Sequence, residues 1–129
     1  MEIILIRKGE KIIGLFDIFK KKSKINFAEI NSMEKARGQH KKGNLEKLYI
    51  LSPIFGGSEE EHNILYVPIG VGKIKERYDN MVADLLEQGK VKSYNCKPEY
   101  KGESCIPCKI TIKSGKDGVD VFSETIEIW

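Results

Sequence analysis

A chain of 129 residues, 40% hydrophobic and 32% charged, has the make-up of a single globular domain that buries a core without disulfide or metal staples. Its net charge of +3 and pI near 8.7 are only mildly basic. That is weaker than the footprint of a dedicated nucleic-acid binder and reads as a lysine-rich solvated surface.

The first residues are mostly apolar, but Arg7, Lys8, Glu10 and Lys11 interrupt them far short of the roughly 20 residues that cross a bilayer. No membrane span or secretory signal is expected. Three cysteines in such a chain point to a reducing compartment, hence the cytoplasm. Residues 2–6 and 11–16 read as two strands joined at Lys8-Gly9-Glu10, a hairpin. Residues 17–23 follow as the hairpin's exit, with Phe16 and Phe19 directed to a core and the lysines kept wet; the rival reading is an amphipathic turn on anionic lipid or phosphate.

Further along, Phe27, Ile30, Met33 and Ala36 give a mixed helical pattern over residues 27–36. Residues 37–44 are polar and glycine-rich and read as a loop. A strand is expected over residues 45–51, a long loop over 52–62, and a short strand over 63–67 closed by Pro68. Residues 74–88 predict the main helix, because Ile74, Tyr78, Met81, Val82 and Leu85 form one apolar stripe and Gly89 suits the left-handed residue that ends a helix. A strand is expected over residues 90–97. Ile106, Cys108, Ile110 and Ile112 then alternate with polar residues as another strand; Ser114-Gly115-Lys116-Asp117-Gly118 turns; residues 119–128 return. The fold class is α+β, an antiparallel sheet with one main amphipathic helix. One domain spans residues 1–129, with a hairpin and extension over 1–42. No repeat, low-complexity segment or linker interrupts it.

Several short motifs stand in one order along the chain. Phe55-Gly56-Gly57-Ser58 is followed by Glu59 to Glu61, Asn63-Ile64 and Val67-Pro68. Leu85-Leu86-Glu87-Gln88-Gly89-Lys90-Val91 closes the helix, and Pro98-Glu99-Tyr100-Lys101-Gly102-Glu103-Ser104-Cys105-Ile106-Pro107 leads into a strand. In order, and with similar gaps, these resemble the DNA/RNA non-specific endonuclease domain at the C-terminus of bacterial polymorphic toxins, over residues 43–126, although Gly89-Lys90-Val91 lacks the residue those domains carry between lysine and valine. The resemblance implies a His-Me-finger core, two strands and a helix around one divalent metal. Such a site uses a histidine general base to activate water and asparagine and acidic oxygens to hold magnesium.

The residues depart from that pattern at the chemistry. Tyr49 stands at the histidine position and Leu48 at the preceding glycine; a phenol with a pKa near 10 is a poor base at neutral pH. Ile69-Gly70-Val71-Gly72-Lys73 carries no oxygen side chain where a second asparagine is expected. Asn63 and Asp79 remain as candidate metal ligands, though two extra residues, Leu65 and Tyr66, disturb the spacing after Asn63. His40, in Arg37-Gly38-Gln39-His40, and His62 are candidate substitute bases. Losing a positioned base costs about 10²- to 10⁴-fold in rate.

Two other motifs have ordinary readings. Cys105-Ile106-Pro107-Cys108 has redox or zinc spacing, but it leads into a strand rather than capping a helix, and a zinc site would also need Cys96 and the distant His62. Gly70-Val71-Gly72-Lys73 precedes a helix and offers backbone N–H groups to a phosphate, without full P-loop spacing.

Together these features predict a catalytically inactive nuclease-like binding protein in a bacterial toxin–immunity system, with a protein partner such as a cognate nuclease toxin and no cofactor. The alternatives are an active metal-dependent endonuclease with magnesium and a relocated histidine, or a non-catalytic module that binds nucleic acid weakly.

Overall fold

A computed structural model describes residues 25–129. The hairpin expected over residues 2–16 and the lysine-rich turn after it lie outside the described residues. The rest is an α+β fold of two helices and two antiparallel sheets. A 3-10 turn, Phe27–Glu29, leads into helix α1, Met33–Lys41. Strands β1, Leu45–Tyr49, and β2, Ile64–Pro68, form a two-stranded sheet, and helix α2, Val71–Glu87, follows directly. Strands β3, Asn95–Glu99, β4, Lys109–Lys116, and β5, Val119–Glu127, form a three-stranded sheet in that spatial order.

Helix α1 corrects two expectations. It starts later than residue 27 and runs through Arg37, Gly38, Gln39 and His40, which read as a loop. The reason is local capping. The Ser32 hydroxyl accepts from Lys35 N at 3.1 Å and starts the helix there. Ala36 is fully buried and anchors it. The cost of Gly38 inside a helix, about 1 kcal/mol, is outweighed by that anchoring.

The sheet elements follow the sequence more closely, with three shifts; in one, the strand expected from Ile106 begins at Lys109, and Ile106 packs in a different core from Ile110 and Ile112. The strand expected at residues 90–97 is Asn95–Glu99. After the turn at Gly89, whose φ is +75°, Lys92 N and Ser93 N both donate to Gly115 O, and Val91 drops into the core alone. Pro98 is accommodated because β3 is an edge strand. The turn after β4 is shorter than residues 114–118. Asp117 and Gly118 have φ of 55° and 78°, a two-residue turn of the kind that joins twisted strands.

The β1–β2 hairpin divides two cores. Strand alternation sends Leu48, Leu65 and Val67 toward Val71, Ile74, Tyr78 and Val82 of α2 and Ile110, Ile112 and Ile126 of the larger sheet. The other face sends Leu45 and Tyr66 toward Phe27, Ile30 and Ala36, with Ile106 closing that core. Ser104 ties the second core together: its hydroxyl donates to Phe27 O at 2.7 Å and accepts from Ile106 N at 3.0 Å. Among the described residues, no helix is long and apolar enough to cross a membrane.

Candidate functional site

A cleft of about 240 Å³ runs between the outer edge of β1 and helix α2. Lys47, Tyr49, Ser52 and Ile54 line one side, and Gly72, Lys75, Glu76 and Asp79 the other. The hairpin followed by a helix brings Tyr49 and Asp79 to one opening. They reach it from opposite faces of the hairpin, since Leu48 and Ile50 pack toward α2 and Tyr49 alternates away from them.

Asp79 is only 3% exposed and its carboxylate is already partnered. Lys75, one helical turn earlier and 2% exposed, donates from Nζ to Asp79 Oδ2 at 2.6 Å. The Tyr94 hydroxyl donates to Asp79 Oδ1 at 2.6 Å and accepts from Lys75 Nζ at 3.0 Å. Each carboxylate oxygen therefore faces a strong donor. Burial, then the bond to Asp79, drives the Tyr94 phenol far above its ordinary pKa. Burial also pushes the neighbouring Cys96 thiol up to about 11. This closed triangle pins the residue just before β3 to α2; its charges neutralise one another.

Asn63 is buried and faces its own loop. Its Nδ2 donates to Leu51 O at 3.0 Å and to Ser58 O at 2.9 Å, and its Oδ1 accepts from Leu51 N at 2.8 Å. Both amide donors are used and the carbonyl is turned to backbone. The loop it holds carries Gly57, where a Cβ would lie 1.6 Å from Leu51 O. Only glycine fits there, which gives the Phe55-Gly56-Gly57 segment a conformational cause. A divalent cation would draw on Asn63 and Asp79, and the oxygens of these residues do not fit it: one set is bound to backbone, the other to an ammonium and a phenol. Among the described residues, no three His, Cys, Asp or Glu side chains converge on one point.

The glycine-rich entry to α2 is also filled from within. Gly70 and Gly72 donate backbone N–H to Glu46 Oε2 at 2.9 and 2.8 Å. A carboxylate thus sits at the helix N-terminus, where the backbone dipoles favour negative charge. A Cβ on Gly72 would meet that carboxylate at 3.1 Å. The phosphate cradle anticipated from Gly70-Val71-Gly72-Lys73 is occupied by the protein's own acid.

The remaining candidates are dispersed. Tyr49 donates its hydroxyl to Glu59, which also meets Lys47 at 3.4 Å. That bond holds the Tyr49 phenol above its ordinary pKa and the Glu59 carboxyl below, so Tyr49 is further from acting as a base than a free phenol. His40 lies against Tyr66 with ring centroids 5.2 Å apart and planes tilted by 43°, on the α1 side of the hairpin. His62 is exposed, with Nδ1 3.4 Å from Glu60. Neither histidine lines the cleft. Cys105 and Cys108 are free thiols, the first partly buried and the second buried beside β4.

Sequence reasoning missed Lys75, Tyr94 and Glu46. The signal for Lys75 was present: residues 71, 74, 75, 78, 79 and 82 form one helical stripe, and all six are buried. Nothing local marks Glu46 or Tyr94, whose partners lie 24 and 15 residues away. The chain matches no known protein-family model and no curated protein.

Proposed function

We propose that this protein is a catalytically inactive, nuclease-like binding protein of a bacterial toxin–immunity system, acting in the cytoplasm on a protein partner, a cognate nuclease toxin. The reading joins the motif resemblance over residues 43–126 to the strand–strand–helix order of β1, β2 and α2, which suits a His-Me-finger scaffold. One observation carries the loss of chemistry: Asp79, the best remaining cation ligand, spends both oxygens on Lys75 and Tyr94. Retention of the framework without its reactive groups favours a role in recognition. The mild net charge of +3 makes nucleic acid the lesser partner.

The test uses purified full-length protein and a nuclease toxin domain carrying the intact Gly-His-Leu-Ile motif, encoded beside it. Light scattering after size exclusion should show a stable complex, and plasmid cleavage should fall with added protein. Separate elution together with undiminished cleavage would remove the proposal.

A further inference from the structure

The turn Pro53–Phe55 is closed by Gly56, whose φ of +89° lets its N–H return to Pro53 O. This holds Ile54 outward, 57% exposed, apolar as it is. Leu86, near the end of α2, is 47% exposed. The two side chains share a cavity of about 390 Å³, and Ile54 also lines the cleft beside β1. Small-molecule sites run from about 300 to 1,000 Å³, so the space is of ligand size.

The other walls are apolar and come from three segments. Leu51 and Phe55 belong to the loop after β1, Val82 to α2, and Val91 to the stretch before β3. Tyr94 adds a second ring, its centroid 4.8 Å from that of Phe55. The hydroxyls on these walls are already committed. That of Tyr94 belongs to the buried triangle with Lys75 and Asp79, and that of Ser93 bonds to the backbone of Gly115. Lys92 differs. Its ammonium is the one charged group among the lining side chains, and among the described residues it has no ion-pair or hydrogen-bond partner. No acidic side chain of the described residues lines the cavity. An apolar space bordered by one unpaired cation selects an apolar body that carries one negative charge.

We propose that this cavity binds a small arylalkanoate, an aromatic ring on a short chain that ends in a carboxylate. The ring lies against Phe55, Ile54 and Leu86, where burial of apolar surface supplies most of the affinity. The carboxylate meets the Lys92 ammonium. That ion pair is exposed, so it contributes a preference of only about three- to fivefold for the acid over a neutral analogue. The turn closed by Gly56 already sets Ile54 in place, which lowers the ordering cost of binding. The site goes beyond the protein partner proposed above and does not depend on it.

The experiment is an NMR titration of the backbone amides of the full chain at low salt, with phenylpropanoate, its primary amide, and propanoate. Phenylpropanoate should shift the amides of Phe55, Leu86 and Val91 saturably and bind about three- to fivefold more tightly than the amide. Propanoate, which lacks the apolar body, should not saturate. Lys92→Gln should bring acid and amide to equal affinity. Leu86→Gln should weaken both by about fivefold or more. Both side chains are exposed, so neither exchange disturbs the core. No saturable change at these amides, equal affinity of the wild type for acid and amide, or a preference for the acid that survives Lys92→Gln would overturn the proposal. So would saturation by propanoate at the same affinity, or a change centred on residues outside the cavity. None of these results alters the nuclease-complex test, so the two readings fail separately.

Discussion

Buried charge decides most at the scale of single residues. Lys75, Asp79 and Tyr94 satisfy one another in a site nearly closed to water, and removing one member leaves the others uncompensated. Asp79→Ala should destabilise the fold by about 3–5 kcal/mol in urea titration. Replacing all three together, with Lys75→Met, Asp79→Leu and Tyr94→Phe, should cost far less than the single changes summed and is expected to be neutral or stabilising. A large loss in the triple variant would show that the triangle contributes net stability. The raised pKa values carry a sign. Cys96 binds its proton more tightly folded than unfolded, so its contribution is complete below the ordinary thiol value of 9.0 and fades as pH rises toward about 11. Tyr94 acts in the same direction at higher pH. Stability should therefore decline above about pH 9, and Cys96→Ser should flatten the early part of that decline. An alkaline limb that is flat in the wild type would contradict this assignment.

Among elements, the entry to α2 is the joint between hairpin and helix. Glu46 on β1 caps a helix whose own first residues, Gly70 and Gly72, have no side chain to do so. Glu46→Ala should lower stability by about 1 kcal/mol, the usual scale of a lost cap. It should also open the anion site, so that phosphate raises the melting temperature of the variant more than that of the wild type; equal shifts in both would mean the carboxylate does not occupy that site. Legibility at this scale followed how local the determinants are. The stripe from Ile74 to Leu85 declares a helix and the alternation through Ile110 and Ile112 a strand within a few turns of chain, and both elements formed, although Met81 of the stripe is exposed and Ile106 and Cys108 precede β4. Helix α1 was hidden because Gly38 and a polar run suggest a loop, while its determinants are one cap at Ser32 and one buried methyl at Ala36. The candidate site was legible as a neighbourhood, with Tyr49 and Asp79 at one cleft. Its neutralised state was not, because Tyr94 and Glu46 act across distances that no spacing rule covers.

Across the whole molecule, the hairpin is a partition with a core on each side, and that arrangement bears on recovering chemistry. Tyr49 lies beside Glu59 and Lys47, on the face turned from α2, whereas Asp79 lies beneath the α2 face. Under the proposed function, Tyr49→His should therefore place an imidazole at position 49 without producing hydrolysis. Under the proposed function, an α+β framework whose cleft is lined by internally paired charges binds through its surfaces and does not react in its cleft. The most direct test is plasmid and RNA cleavage with Mg²⁺ or Mn²⁺ at high protein concentration, for the wild type, Tyr49→His, His40→Ala and His62→Ala. Intact substrate is expected in every case. Cleavage by the wild type that disappears in His40→Ala or His62→Ala would contradict the loss of chemistry on which the proposed function rests.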